Sequence, residues 1–499
     1  MAEHFISIDD AQADLLSCAA FLAENVKSSD GRAEAMKSVI PLYLEKADVD
    51  LAAELANSID DPYTRDRMLI DVAEKCAEID DVDYALQLAD AIDDLGPRLQ
   101  AFERIAIQQA SRGEYASAEQ ITDQMDHPDY VFASIAVHKS AAGDAAGAAD
   151  AIAEIEFANA RSFAYQSCAA ELIRNDRDDE AIGDLDNAVE AALEIEHDEE
   201  RIRALTDIGG LFIETGRNDK AVETYTLARE ASEALDNVHR DYFLAVCSIG
   251  FLHAGSEEFA DEVLDIITDK TQMASCLLAI ARGSWKKDEK DAAMDTLDEA
   301  HEILLSQKEI ETRDARARSS LLTSVAVQYT GFGKTEKGIE TADDILDPAE
   351  RVAALSQIAY VLTAQKEGEL ARQTLNSIDE DADRLMALIG MSDAKDKLGE
   401  KEAAAVLLNE AFELAETVPQ LASRSSIFNE IAARFVRQGD ADTAHKVAIE
   451  NLRTIAELRD GSSQAAALAG LHHIYVSAAT EPGDVEKKII RELLERAIW

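Results

Sequence analysis

The chain has 499 residues, 100 of them acidic and 48 basic, for a formal charge of −52. That balance excludes the basic stripe that phosphate binding requires, so neither nucleic acid nor an anionic membrane face is expected as a partner. Hydrophobic residues make up 47%, enough for a continuous core, and seven prolines are few enough for a nearly all-helical chain.

The acids are spread through every predicted helix. Two readings stand: a solubilising surface fitted to a salty cytoplasm, where counter-ions screen self-repulsion, or a surface that attracts a basic partner. The opening stretch has no basic region followed by an apolar core, which predicts no signal peptide. Apolar runs such as 18–22 fall far short of a membrane span. Cys18, Cys76, Cys168, Cys247 and Cys276 are isolated in apolar helical stretches and form no CxxC pair, which predicts buried free thiols and a cytoplasmic protein.

In chain order, residues 9–27 predict one amphipathic helix that caps the array, with residues 1–30 as the N-terminal capping segment. A repeat follows, clearest between Arg201 and Leu235. Leu205, Ile208 and Phe212 mark one helix with Gly209 among them, Gly216 breaks it, and Ala221, Tyr225 and Ala228 mark a second helix. The small residue equivalent to Gly209 recurs at Ala73, Ala106, Ala136, Ala169, Ser248, Ala281, Ala326, Ala359, Ser392 and Ala432, with Ile40 at the first repeat. Twelve residues after each marker stands Ala, or Gly at Gly338 alone. Seven residues after it, glycine recurs at Gly113, Gly143, Gly216, Gly255, Gly333, Gly399 and Gly439, where a left-handed residue ends the helix. Markers are mostly 33 residues apart, and the steps of 39 or 40 add about two helical turns, so the second helix lengthens without turning its buried face outward. The 45-residue step contains residues 305–316, polar and charged, read as a loop or hinge or as an extended helix. It separates a first block, 31–304, from a second, 317–460. Residues 461–499 predict C-terminal capping helices over 462–479 and 484–498, the latter with Val485, Ile489, Leu493 and Ala497 on one face.

The 201–235 unit resembles a tetratricopeptide repeat (TPR), with Leu205, Ile208, Gly209, Phe212, Ala221 and Tyr225 in that pattern, Leu in place of its Trp, and no closing Pro. The resemblance implies an all-α, right-handed α-solenoid of about twelve helix-turn-helix repeats with terminal capping helices.

Eight residues before the marker, arginine recurs at Arg32, Arg65, Arg98, Arg161, Arg201, Arg240, Arg318, Arg351, Arg384 and Arg424, interrupted by Pro128 and Met273. A cation at a helix start opposes the dipole, so each needs a partner. Acids and carbonyls of the preceding turn supply one, and the ladder reads as inter-repeat glue, with an anion- or partner-binding stripe as the alternative.

Signatures of catalysis are absent. Residues 331–335 (GFGKT) look like the end of a phosphate-binding loop, but Gln328 replaces the required first glycine and no strand precedes it. His472 and His473 are adjacent and diverge on a helix, and His301-Glu302 lacks a second His four residues on, so no metal site is predicted. No Gly-x-Ser-x-Gly elbow occurs, no acid pair stands out among so many, and no cofactor is implied.

In TPR arrays the first helices line a concave groove that holds a peptide or helix. The positions implied to face it include Tyr130, Val137, Phe163, Ile213, Tyr242, Ile249, Leu252, Leu278, Trp285, Val327 and Tyr360, and several of these have packing between repeats as their alternative role. Arg67, Arg203, Arg282 and Asn429 are not arranged as a clamp for an acidic peptide terminus. The expected function is a non-catalytic protein–protein interaction scaffold or adaptor, its partner an amphipathic helix, a basic segment or a second copy of the chain. A regulatory or ligand-sensing array and a structural homo-oligomer are the alternatives.

Overall fold

The computed structural model describes residues 5–306 and 312–498. Among them are 28 α-helices and no strand. Twelve hairpins follow one another, each of a long first helix and a second helix of 8 to 17 residues, from Ser29–Glu45 with Val49–Asn57 to Leu421–Gln438 with Ala441–Glu457. The chain is an α-solenoid of TPR-like helical hairpins. No helix is long and apolar enough to cross a membrane among the described residues.

Sequence dictates this packing through the residues at each crossing. Every marker from Ile40 to Ala432 is buried, and so is every partner twelve residues later. Two helix backbones approach closely only if no bulky side chain stands between them. Where the approach is tightest even alanine is too large: a Cβ on Gly338 would lie 2.7 Å from the carbonyl oxygen of Ala326. Where the marker is serine, its buried hydroxyl donates across the crossing, Ser248 Oγ to the Ala260 carbonyl at 2.9 Å and Ser392 Oγ to Ala404 at 3.0 Å. Extra residues between markers lengthen the second helix, from nine residues in Val49–Asn57 to sixteen in Asp178–Leu193.

All seven predicted turn glycines have positive φ. The other five repeats fill that place with Ala47, Asp80, Asp176, Asp288 and Lys366, also at positive φ. Asp tolerates this conformation, whereas Ala and Lys carry Cβ strain of about 1 kcal/mol or more. Ala47→Gly and Lys366→Gly should each raise stability by about 0.5–1 kcal/mol in urea titrations. A loss of stability in both would show that these turns are held by side-chain contacts rather than strained.

The chain forms two compact units, residues 1–105 with 355–499, and residues 106–354. The division does not fall at 305–316. Lys290–Ser306 and Thr312–Gly331 are helical on either side, and residues 307–311 lie outside the described residues.

Within the first unit the terminal helices cap the array by pairing with each other. The single helix expected over 9–27 is two, Ile8–Ala13 and Leu15–Glu24, because Asp14 adopts an extended conformation and caps the second through Ser17 N. Leu15–Glu24 then packs against Gly461–Ser477 from the far end of the sequence and against Ser29–Glu45. Its geometry is that of a second helix. Asp14 caps it as Asp48, Asp81, Asp144 and Asp440 cap other second helices, and Cys18 stands where those helices carry alanine. Gly461–Ser477 is the matching first helix, with buried His472 at the marker and Ala479 at positive φ seven residues on. A thirteenth hairpin is therefore built from both ends of the chain. Asp484–Ile498 lies against Ala441–Glu457 and the two N-terminal helices. It buries Glu486, Ile490, Leu493 and Leu494; of the predicted face Leu493 is buried and Ile489 half-buried. Val485 is exposed, and the side chain of Ala497 lies outside the described residues.

Candidate functional site

The arginine ladder resolves into carbonyl caps and carboxylate pairs. Arg98 Nε donates to the Ile92 carbonyl (2.8 Å), Arg161 Nη1 to Ile155 (3.2 Å), Arg201 Nη1 to Ile195 (2.9 Å), Arg318 Nε to Leu304 (2.6 Å), and Arg424 Nε to Val418 (2.8 Å). Each acceptor lies in or just after the preceding second helix, where the carbonyls have no partner of their own. Arg32 caps Val26 and also reaches Asp60. Arg351 meets Asp343 of the preceding helix at 2.8 Å. Arg65 and Arg240 instead pair with the next residue in sequence, Asp66 and Asp241, and Arg384 with Asp381 of its own first turn. In the thirteenth hairpin Gln464 takes the arginine's place and donates to Leu458 O at 2.8 Å.

Sequence reasoning missed a second set of braces, the buried acids at the following position. Asp129 accepts from Glu156 N and Phe157 N, and Asp241 from Thr268 N (2.8 Å), Thr268 Oγ1 (2.7 Å) and Asp269 N (2.6 Å). Each carboxylate thereby fixes the loop that enters the next hairpin. Burial works against the Asp241 charge, but Thr268, Asp269 and Arg240 together hold its carboxyl below the usual carboxylate range. Asp184 shows the opposite behaviour: burial, reinforced by the Glu180 carboxylate, pushes it up to about 6. The signs follow from linkage. A depressed folded value gives stability above the unfolded value that is lost as pH falls through the folded one. A raised folded value gives stability at low pH that is lost as pH rises through about 6. Asp184→Asn should therefore raise the melting temperature at pH 7.5 and lose about half of that gain by pH 5, while Asp241→Asn should lower it at pH 7.5. Equal effects of Asp184→Asn at both pH values would place the Asp184 pKa in the ordinary range.

Six side chains were expected to face a partner, and they divide. Tyr130, Phe163 and Tyr242 are exposed at 54%, 51% and 46%. They occupy equivalent places on the first helices Asp129–Ala141, Ala158–Arg174 and Arg240–His253 of the second unit, with exposed Arg203 at that place on the intervening Asp198–Glu214. Tyr130 meets Phe163 edge-on at 6.1 Å, while the Arg203 guanidinium lies 5.5 Å from the Phe243 ring, itself against Tyr242 at 5.3 Å. Leu278, expected to face a partner, does not: it is 4% exposed and belongs to the core, because its helix presents that position to the next hairpin, where Gln328 donates to its carbonyl. Trp285 is half-buried, stacked on Phe332 at 4.0 Å with Lys290 Nζ 3.9 Å from its centroid, so its ring faces are already used. Tyr360 is half-buried in the first unit, its hydroxyl accepting from Lys397 at 3.1 Å.

Beside Tyr130 opens a cleft of about 690 Å³, also lined by His127, Phe157, Arg161, Glu194 and Glu200. His127 packs on Phe157 at 5.3 Å, and Phe157 is 47% exposed. Phe157 lies in the loop before its helix, where helix periodicity assigns no groove-facing position. The GFGKT stretch is an ordinary repeat turn, with Gly333 at positive φ and Phe332 under Trp285. No cluster of three or more metal-ligating side chains occurs among the described residues.

No protein-family model and no curated protein matches the chain. Solved helical proteins are similar to it at low identity. Ton1535 from Thermococcus onnurineus is 18% identical over 71% of this chain and 98% of its own, with a TM-score of 0.26. The apo quorum sensor NprR from B. thuringiensis is 11% identical over 72% and 100%, with 0.28. A Rap protein in complex with competence and sporulation factor is 12% identical over 78% and 98%, with 0.27. At these scores none bears on what this chain binds.

Proposed function

We propose that the chain is a non-catalytic interaction scaffold that holds a protein segment along the aromatic stripe of its second unit. One observation carries the reading: Tyr130, Phe163 and Tyr242 stand exposed, in register, on first helices of one continuous row. Large amphipathic rings in such a row are binding anchors, since they bury area at low entropic loss. Glu156, Glu196 and Glu200 at the adjoining cleft, where Glu194 is already paired with Arg161, favour a segment with basic as well as apolar residues. The five buried free cysteines support a reducing, cytoplasmic setting.

The test is affinity purification from the native host with the double variant Tyr130→Ala/Phe163→Ala beside the unchanged chain. Both rings are about half exposed, so truncation should leave helix content and melting temperature nearly unchanged while partner recovery falls at least about tenfold. Undiminished recovery of the same proteins by the variant would sink the stripe as the binding surface. A large drop in melting temperature would mean that the two rings support the fold rather than a partner.

A further inference from the structure

The thirteenth hairpin is unlike the other twelve in one respect. Its first helix, Gly461–Ser477, and its second, Leu15–Glu24, are joined by no short turn: nearly the whole sequence lies between them. The seam between them is nonetheless built as a core. Leu15, Leu16, Cys18, Ala19, Ala20, Phe21, Leu22 and Ala23 are all buried, as are Leu468, Ala469, Leu471 and His472 on the other side. Asp14 Oδ1 stands 3.9 Å from His472 Nδ1 across it. On its other flank, Leu15–Glu24 connects to Ser29–Glu45 through residues 25–28, which Arg32 holds by its two hydrogen bonds to Val26 O.

We propose that this seam is an exchange surface for a second copy of the chain: residues 5–27 detach as a unit and seat, through the same contacts, on the Gly461–Ser477 helix of another molecule. Elsewhere in the array, separating the two helices of a hairpin leaves them tethered by a two- or three-residue turn, so little chain entropy is released. At the seam the detached segment is held to the chain at one end only, so its opening releases chain entropy that the opening of an ordinary hairpin does not. It packs on Gly461–Ser477, Ser29–Glu45 and Asp484–Ile498, and an identical chain whose own segment is displaced offers those same surfaces. A second copy therefore reproduces every contact, and only effective concentration favours the intramolecular pairing. The inference does not rest on the aromatic stripe, which belongs to the other unit.

The intact chain supplies its own reporter. Cys18 is fully buried at the seam, whereas Cys76, Cys168, Cys247 and Cys276 are buried in ordinary hairpins. Alkylation with N-ethylmaleimide under native conditions, followed residue by residue by mass spectrometry, should modify Cys18 at least about tenfold faster than the other four. Phe21→Ala should raise the Cys18 rate about a further tenfold and leave the others unchanged. In the second arm, a fluorescent peptide of residues 5–28 is titrated into the full chain. It should bind saturably at one per chain and about tenfold more tightly to the Phe21→Ala chain, whose own segment competes less well. The same peptide carrying Leu16→Asp should not bind. Modification of all five cysteines at one rate, or a peptide that fails to bind the Phe21→Ala chain, would overturn the proposal.

Discussion

Gly250→Ala is expected to destabilise the second unit by about 2–3 kcal/mol, a large effect for one added methyl group. A Cβ there would lie 2.3 Å from both Cε1 and Cζ of Tyr225. The ring cannot swing aside, since Gly209 meets its other edge, where a Cβ would lie 2.8 Å from Cε2 and Cζ, and Phe251 packs on it at 5.8 Å. Tyr225 thus wedges between two consecutive first helices, Asp198–Glu214 and Arg240–His253, and each gives way to it with a glycine. Gly183 and Gly390 make the control. Both are helical with nothing within 4 Å of an added Cβ, so alanine there should stabilise by about 0.5–1 kcal/mol through helix propensity alone. Tyr225→Leu combined with Gly250→Ala should cost less than the sum of the two single changes, because the smaller side chain vacates the space that the methyl needs. Urea midpoints measure all of these. A Gly250→Ala chain as stable as Gly183→Ala would mean that the wedge yields freely.

That wedge also shows what sequence could and could not reveal. The repeat was legible because close helix crossing admits few residue types, so small residues had to recur at fixed offsets and did. Gly209 was visible as a marker, but Gly250 was not, since it falls outside the repeat pattern and matters only for the ring opposite. The turn glycines were legible for the same steric reason. Asp80, Asp176, Asp288, Ala47 and Lys366 were invisible in that role, because a left-handed residue need not be glycine when packing on both sides fixes the turn.

The thirteenth hairpin escaped because its marker is His472 and its second helix comes from the other end of the chain. No window along the sequence holds both halves. The site followed the same logic. Helix periodicity could place Tyr130, Phe163 and Tyr242 on one face, but it could not separate them from Leu278, because neighbouring hairpins decide how much of each first helix stays uncovered. Asp129 and Asp241 read as ordinary helix-start acids, and only the loop arriving from the next hairpin gives them their partners.

The second large effect concerns charge. Even if every one of the 48 bases sat in an ion pair, the excess of acids would still leave a net charge of −52. Part of that repulsion is locally visible: burial raises the Asp71 carboxyl, and Glu74 raises it further despite Arg104 alongside. Unfolding lets the charges separate, so low ionic strength should favour the unfolded chain. Added salt shortens the Debye length to about 8–10 Å near 0.1–0.15 M and to about 3 Å at 1 M, below the spacing of charges on neighbouring helices. The melting temperature should therefore climb by on the order of 10 °C between about 5 mM and 1 M potassium chloride, with most of the rise below about 0.3 M. Ion pairs weaken over the same range, but exposed ones contribute only about 0–1 kcal/mol each, so their loss cannot reverse the trend. The shape of the curve separates repulsion from salting-out: potassium chloride and potassium sulfate at equal ionic strength should coincide below about 0.3 M and diverge above it, where sulfate alone strengthens apolar burial. A melting temperature that stays flat throughout would mean that helix N-termini and arginines already compensate the acids where they stand. The acidic surface would then exert no long-range pull on a basic partner segment.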